Sequence, residues 1–207
     1  RTRQANNLVT EPALMADLDV LLTDAFLLLS CHLSNGCINP IMLKAEWFAY
    51  NEKMDVTEVL KKSLRQNNVK ETLKDLTPKE KLYTRLRQAL ARYRLLAAQY
   101  PQWPVIPPEK PSIKRDARDT RIPAIRQRLA FLGDLPLAWQ NIGDEYYDAG
   151  LEQAVLSFQQ RHGLDVDGVI GAKTIGALNI SPAKRVRQIE INLERLRWSL
   201  RNPGKRY

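Results

Sequence analysis

Apolar residues recur at three- and four-residue steps through most of this chain, which is the period of helices rather than strands. From Pro12 onward Leu14, Leu18, Leu21, Leu22, Ala25 and Leu29 follow one another at that spacing and predict a largely buried helix to about Leu33. Asn35-Gly36 breaks it, and Pro40 blocks an immediate restart. Between Val56 and Gln66, Val56, Val59, Leu60 and Leu64 share one face with lysines opposite, the pattern of a half-exposed helix. Thr77-Pro78-Lys79-Glu80 has the form of a capping box with proline at the first helical position. A long helix is expected to follow it, with Leu82, Leu86, Leu90, Tyr93, Leu96 and Tyr100 on its apolar face. Arg85, Arg87, Arg92 and Arg94 flank that face, and Pro101 ends it.

Five prolines from Pro101 to Pro111, around Trp103 and Val105, predict a stiff extended connector in which Trp103 pins the chain to a neighbouring surface. Beyond it Ile122, Ile125, Leu129 and Leu132 line a helix that Gly133 closes in the left-handed conformation. An aromatic, turn-rich stretch follows from Asp134 to Gly150. Next, Leu151, Ala154, Val155 and Phe158 make one apolar face of a helix stopped at Gly163, and Gly168 and Gly171 permit a compact loop before a short helix facing inward through Ile175 and Leu178. Ser181-Pro182 starts a last helix with a stripe of Val186, Ile189, Leu193, Leu196 and Leu200, which Asn202-Pro203-Gly204 stops. The expected fold is all-α (mainly α): a helical scaffold domain over 1–111, a three-helix bundle over 112–180 and a basic linker helix over 181–207. The bundle core is expected at Ile125, Leu129, Leu151, Val155, Phe158, Leu164, Ile170, Ile175 and Leu178.

The formal net charge of +9 points to an acidic partner: nucleic acid, a membrane surface or a carboxylate-rich polymer. Its distribution narrows the choice. Residues 1–111 carry sixteen Lys/Arg against twelve Asp/Glu, 112–180 eight against nine, and 181–207 eight against two. The bundle holds none of the excess and is a poor phosphate-tracking surface, so no nucleic-acid partner is expected. Val20 to Cys31, the longest apolar run, is interrupted by Thr23 and Asp24 and is too short to cross a bilayer. No signal peptide stands at Arg1, and the chain starts as a mature or trimmed one would.

Candidate chemistry is sparse. Cys31 and His32 are helix neighbours that point about 100° apart, so they do not form a nucleophile and base, and Cys31 reads as a small core residue. A bridge from Cys31 to Cys37 across the Asn35-Gly36 turn fits an oxidising compartment. His162 reads either as a donor to the last carbonyls of its helix or as a ligand contact at a rim. Asp165 and Asp167 lie in a glycine-rich loop, where aspartates commonly fix turns. Two histidines without a supporting cluster argue against zinc, and no metal or other cofactor is expected. No nucleotide-binding glycine loop and no GxSxG elbow is present.

The run LEQAVLSFQQRHGLDVDGVIGAKTIGALN, Leu151 to Asn179, resembles the peptidoglycan-binding module of many cell-wall enzymes, matching it at Ala154, Phe158, Gln159, Gly163, Leu164, Asp167, Gly168, Gly171, Thr174 and Leu178. LDVLLTDAF (Leu18 to Phe26), LTPKEKLYTRLRQALARYR (Leu76 to Arg94), WPVIP (Trp103 to Pro107), NLERLRW (Asn192 to Trp198) and the closing GKRY resemble the large periplasmic L,D-transpeptidases of Gram-negative bacteria. That resemblance implies a scaffold and peptidoglycan-binding portion of an enzyme that makes 3-3 cross-links, located in the periplasm. The family's Ser-His-Gly-Cys signature does not occur here, so no catalytic residue is assigned and the chain itself is expected to be non-catalytic. Implied partners are peptidoglycan (stem peptide and glycan), the catalytic domain and other cell-wall synthesis proteins; the alternative is a protein-interaction scaffold without glycan affinity. Candidate ligand contacts are the polar groups around the loop, Gln159, Arg161, His162, Asp165 and Lys173, with Tyr146 and Tyr147 as sugar-stacking surfaces. Gly163, Asp167, Gly168, Gly171 and Thr174 are expected to shape the loop.

Overall fold

The computed structural model describes residues 11–38, 54–108, 111–139 and 143–199. The features expected at residues 1–9, Pro40, Leu200 and 202–204 lie outside them. The fold is mainly α. Its helices are α1 (Pro12–Asn35), α2 (Val56–Arg65), α3 (Val69–Asp75), α4 (Lys81–Gln99), α5 (Ile122–Leu132), α6 (Ala149–Arg161), α7 (Ala172–Leu178) and α8 (Pro182–Ser199), with a 3-10 turn at Leu137–Trp139. Two compact units divide the chain: Arg1–Ala89 with Ile189–Tyr207, and Leu90–Gln188.

In the first unit α1 ends at Asn35, as the Asn35-Gly36 break requires, but it is not the buried helix that its leucines predict. Leu14, Leu18, Leu21, Leu22 and Leu29 are exposed, and the buried positions are Phe26, Ser30 and Ser34. These lie four residues apart, so the packed seam is a narrow strip of one aromatic and two small residues, and the leucines stand outside it. Cys31, one step of about 100° from that seam, is exposed rather than a core residue, and both cysteines are free thiols. Asp55 caps α2 by accepting from the Thr57 and Glu58 amides at 3.0 and 3.1 Å.

Helix α3 went unanticipated, and it changes the role of the next cap. The Thr77 hydroxyl donates backward to the Lys74 carbonyl at 2.7 Å and finishes α3 instead of opening α4, which begins at Lys81. Along α4 the expected face holds at Leu86, Leu90, Tyr93, Leu96 and Tyr100, which are half-buried, and departs only in the first turn, where Tyr83 is buried and Leu82 exposed. The Tyr83 hydroxyl accepts from Arg197 Nε at 3.1 Å, and Arg197 pairs with Glu194 at 2.8 Å. Glu194 also accepts from the Ile38 amide at 2.9 Å. Gly36, at φ 87°, lies flush against this group: a Cβ there would sit 2.3 Å from Glu194 Oε1.

The second unit is built on α5, α6 and α7. Gly133 and Gly163 terminate α5 and α6 with φ of 83° and 64°, and each end closes by paired back-bonds. Asp134 N donates to Leu129 O at 2.8 Å and Gly133 N to Ala130 O at 3.0 Å; Leu164 N donates to Gln159 O at 3.0 Å and Gly163 N to Gln160 O at 3.3 Å. Ile125, Leu129, Leu151, Val155, Phe158, Ile170, Ile175 and Leu178 form the buried core, with Ile122 and Tyr147 added and Leu164 packed at its edge. The proline-rich connector lies on this bundle. Trp103 Nε1 donates to the Leu178 carbonyl at 2.9 Å, and the Asn179 amide accepts from Ile106 N at 2.9 Å and donates to Ile106 O at 2.8 Å.

Three arginines are buried here, which their residue type does not announce. Arg121 pairs with Asp119 at 2.9 Å and donates to Pro111 O at 2.7 Å. Arg126 holds Asp148 at 2.8 Å and Tyr146 O at 3.2 Å. Arg128 donates to Leu178 O at 3.0 Å and Asn179 Oδ1 at 2.6 Å beneath the Trp103 ring, and burial pushes its guanidinium down to about 10. Together they tie backbone carbonyls of three separate segments to α5 and its N-terminal cap.

Candidate functional site

The loop between α6 and α7 is organised from inside by Gln159 on the last turns of α6. Its Nε2 donates to Asp167 Oδ1 and to Val169 O, each at 3.0 Å, and its Oε1 accepts from the Gly168 amide at 3.0 Å. Asp167 Oδ1 also accepts from the Val169 amide at 2.9 Å, a tight aspartate turn. This amide bond holds the Asp167 carboxyl below its ordinary range; burial opposes it and the Gln159 bond adds to it. Gly168 takes φ 71°, and its carbonyl accepts from the Tyr147 hydroxyl at 2.6 Å. Ile170 pairs antiparallel with Ile113 through both backbone bonds, at 3.0 and 3.1 Å.

These contacts correct two expectations. Gln159 is 1% exposed with both ends of its amide occupied, so it builds the loop and is not an exposed ligand contact. Tyr147 is fully buried with its hydroxyl on Gly168, which removes it as a sugar-stacking surface; burial raises its pKa. Gly171 is also less special than expected. Its backbone is extended (φ −95°, ψ −174°), a conformation open to any residue, so only Gly163 and Gly168 are required by left-handed geometry.

A cavity of about 210 Å³ opens at this loop. Leu164, Val169 and Ala172 supply apolar wall, buried Gln159 and Thr174 the polar floor, and exposed Asp165, Asp167 and Lys173 the rim. The floor is internally satisfied. The rim is not: Asp165 and Lys173 lie 3.3 Å apart with side chains 80% exposed, a pairing that contributes little and is free to open for a ligand. Lys173 can donate to a carboxylate or carbonyl, and Asp165 can accept from a hydroxyl or amide.

The other expected contacts do not line this cavity. Arg161 is bonded to Asp134 and lies over the Phe158 ring. Burial pushes the Asp134 carboxyl up, and Arg161 opposes this. His162 turns its Nδ1 to Phe158 O at 2.9 Å, the helix-end role, and burial with the nearby Arg161 and Arg185 charges lowers its pKa. Tyr146 is partly exposed elsewhere, with its hydroxyl donating to Asp116 at 2.7 Å and Arg118 over its ring. Unforeseen was Trp139, which stands partly exposed against Gly150; its only signal was an aromatic residue in a turn-rich stretch. Among the described residues no group of three or more His, Cys, Asp or Glu could hold a metal ion, and no helix is long and apolar enough to cross a membrane.

Comparison with known proteins places this geometry. Residues 118–178, which include the whole loop and its cavity, match the peptidoglycan binding domain family, and residues 1–90 match a family described as a scaffold domain. The chain is also similar to the N-acetylmuramoyl-L-alanine amidase CwlM of Mycobacterium tuberculosis, with 40% identity over 67 residues, 30% of this chain. The match spans only 16% of that amidase. A scaffold domain followed by a peptidoglycan-binding module, with peptidoglycan as a partner and a cell-wall-binding role, is what these matches support together.

Proposed function

We propose that this chain is the scaffold and peptidoglycan-binding portion of an L,D-transpeptidase that makes 3-3 cross-links, acting in the periplasm of a Gram-negative bacterium. The observation that carries the binding role is the loop cavity inside the module, with a satisfied floor and an openable Lys173–Asp165 rim. Stem peptides of peptidoglycan end in carboxylates, and an exposed ammonium beside an apolar wall suits such a group. The transpeptidase assignment is supported by the resemblance of Leu18 to Phe26, Leu76 to Arg94 and Asn192 to Trp198. Retention of the chain on purified sacculi tests the binding role. Lys173→Ala is expected to fold with unchanged stability and to be retained several-fold less; equal retention removes the rim from the site, and no retention of wild type removes the function. Reading the gene past Tyr207 tests the parent enzyme, for which a Ser-His-Gly-Cys segment is expected.

A second reading is favoured by one observation, the exposed leucines of α1. They suit a scaffold that docks a catalytic domain or other cell-wall synthesis proteins. Under that reading charged substitutions at Leu21 and Leu22 abolish partner capture and leave sacculus retention intact.

A further inference from the structure

Trp139 ends the 3-10 turn Leu137–Trp139 and rests its six-membered ring on the first turn of α6. Gly150 is what admits it. A Cβ there would lie 2.8 Å from the indole Cζ3 and 3.1 Å from Cη2, although Gly150 itself is helical and has no need of a positive φ. Glycine is a weaker helix former than alanine, yet it stands here in the first turn of α6 and leaves room for the ring. With one part of the ring on backbone, Trp139 still leaves 38% of its surface to solvent, and Leu137 beside it leaves 60%.

The polar neighbour is Asp148, whose side chain is 36% exposed. Its Oδ1 accepts from Leu151 N at 2.8 Å and its Oδ2 from Arg126 at 2.8 Å. A carboxylate offers about four acceptor positions, so capacity remains for a hydroxyl donor. A flat aromatic surface next to a hydrogen-bond acceptor suits a neutral polyhydroxylated ring. The place is distinct from the loop cavity. Gly150 and Gln159 are nine residues apart on α6, which is two and a half turns, so they face opposite sides roughly 14 Å apart along the axis.

We propose that the Trp139 indole, with Asp148 beside it, is a saccharide-stacking platform that takes a neutral N-acetylated hexosamine ring of the glycan strand, separate from the cavity at Lys173. This rests on the peptidoglycan reading and assigns the glycan, rather than the stem peptide, to this face. The test uses the full chain and a peptide-free oligomer of N-acetylglucosamine, followed through the indole Nε1–H resonances in proton–nitrogen correlation spectra, with Trp139→Phe identifying the Trp139 signal. The Trp139 signal is expected to move saturably and that of Trp103 to stay, with affinity falling roughly tenfold in Trp139→Ala. Gly150→Ala, which displaces the ring without deleting it, is expected to weaken binding likewise while the core methyl spectrum stays native. An unmoved Trp139 signal, or equal affinity in both variants, overturns the proposal. If wild type is still retained on sacculi in that case, the peptidoglycan reading survives; if it is not, that reading fails first.

Discussion

Gln159→Met removes the amide that organises the binding loop while nearly conserving its volume. The side chain is 1% exposed, so the substitution leaves the Gly168 N–H and the Val169 carbonyl short of a partner in a space closed to water. Three short bonds at 3.0 Å are lost, each with a net value of about 1 kcal/mol, and an unpaired buried donor adds about 1–3 kcal/mol. Part of this is recovered, because Val169 O still accepts from Thr174 at 3.3 Å and Asp167 keeps the Val169 amide at 2.9 Å. The expected cost is therefore about 2–4 kcal/mol, felt first in the loop. Hydrogen exchange at the Gly168 amide reads it directly: 3 kcal/mol is roughly a 150-fold loss of protection. Urea unfolding followed through Trp103, pinned on Leu178, gives the cost to the whole unit. Gly168 protection unchanged within a factor of three would refute the account of Gln159 as the loop's internal frame.

Asp148→Asn strips the charge opposite fully buried Arg126 and is expected to cost about 2–3 kcal/mol, less than a wholly buried pair because Asp148 is itself 36% exposed. Burial raises the Asp148 pKa, but the Leu151 amide and Arg126 outweigh it and set the folded value below 3.8. Its contribution is thus present above 3.8 and lost as pH falls through the folded value, so wild type loses more stability than the variant over that acid range; identical acid melts would contradict this. Gly133→Ala incurs the left-handed penalty of about 1–2 kcal/mol and brings a Cβ within 2.6 Å of Arg92, whose guanidinium caps Leu132. Gly163→Ala has open space around its Cβ and incurs the backbone penalty alone, so its thermal midpoint is expected to fall by less.

The helix terminators and the bundle core were legible in the sequence because each follows from a local rule. Gly133 and Gly163 stand where only a left-handed residue closes the last turn, and Ile125 through Leu178 repeat at helical spacing around one centre. The burial of α1 was not legible. Periodicity reports which residues are apolar, not which strip another element covers, and the covered strip holds Ser30 and Ser34. Gln159 and Tyr147 failed for a related reason: both carry a polar tip on a body that packs well, and only the Gly168 backbone decides that the tips point inward. Thr77 shows the same ambiguity along the chain, since its hydroxyl serves the end of α3 rather than the start of α4.

The buried arginines alter how the binding module looks from outside. Its sequence holds eight basic and nine acidic residues, nearly neutral. Arg121, Arg126 and Arg128 lie inside, with Asp119 and Asp148 spent on the first two. Asp134 lies inside as well, its side chain 6% exposed beside Arg161, so five basic and six acidic groups are left and the module turns no positive excess toward a negatively charged wall. Its attachment cannot rest on a general field. It has to come from individually placed groups, the Lys173 ammonium at close range and uncharged surface that an anion-rich mesh does not repel.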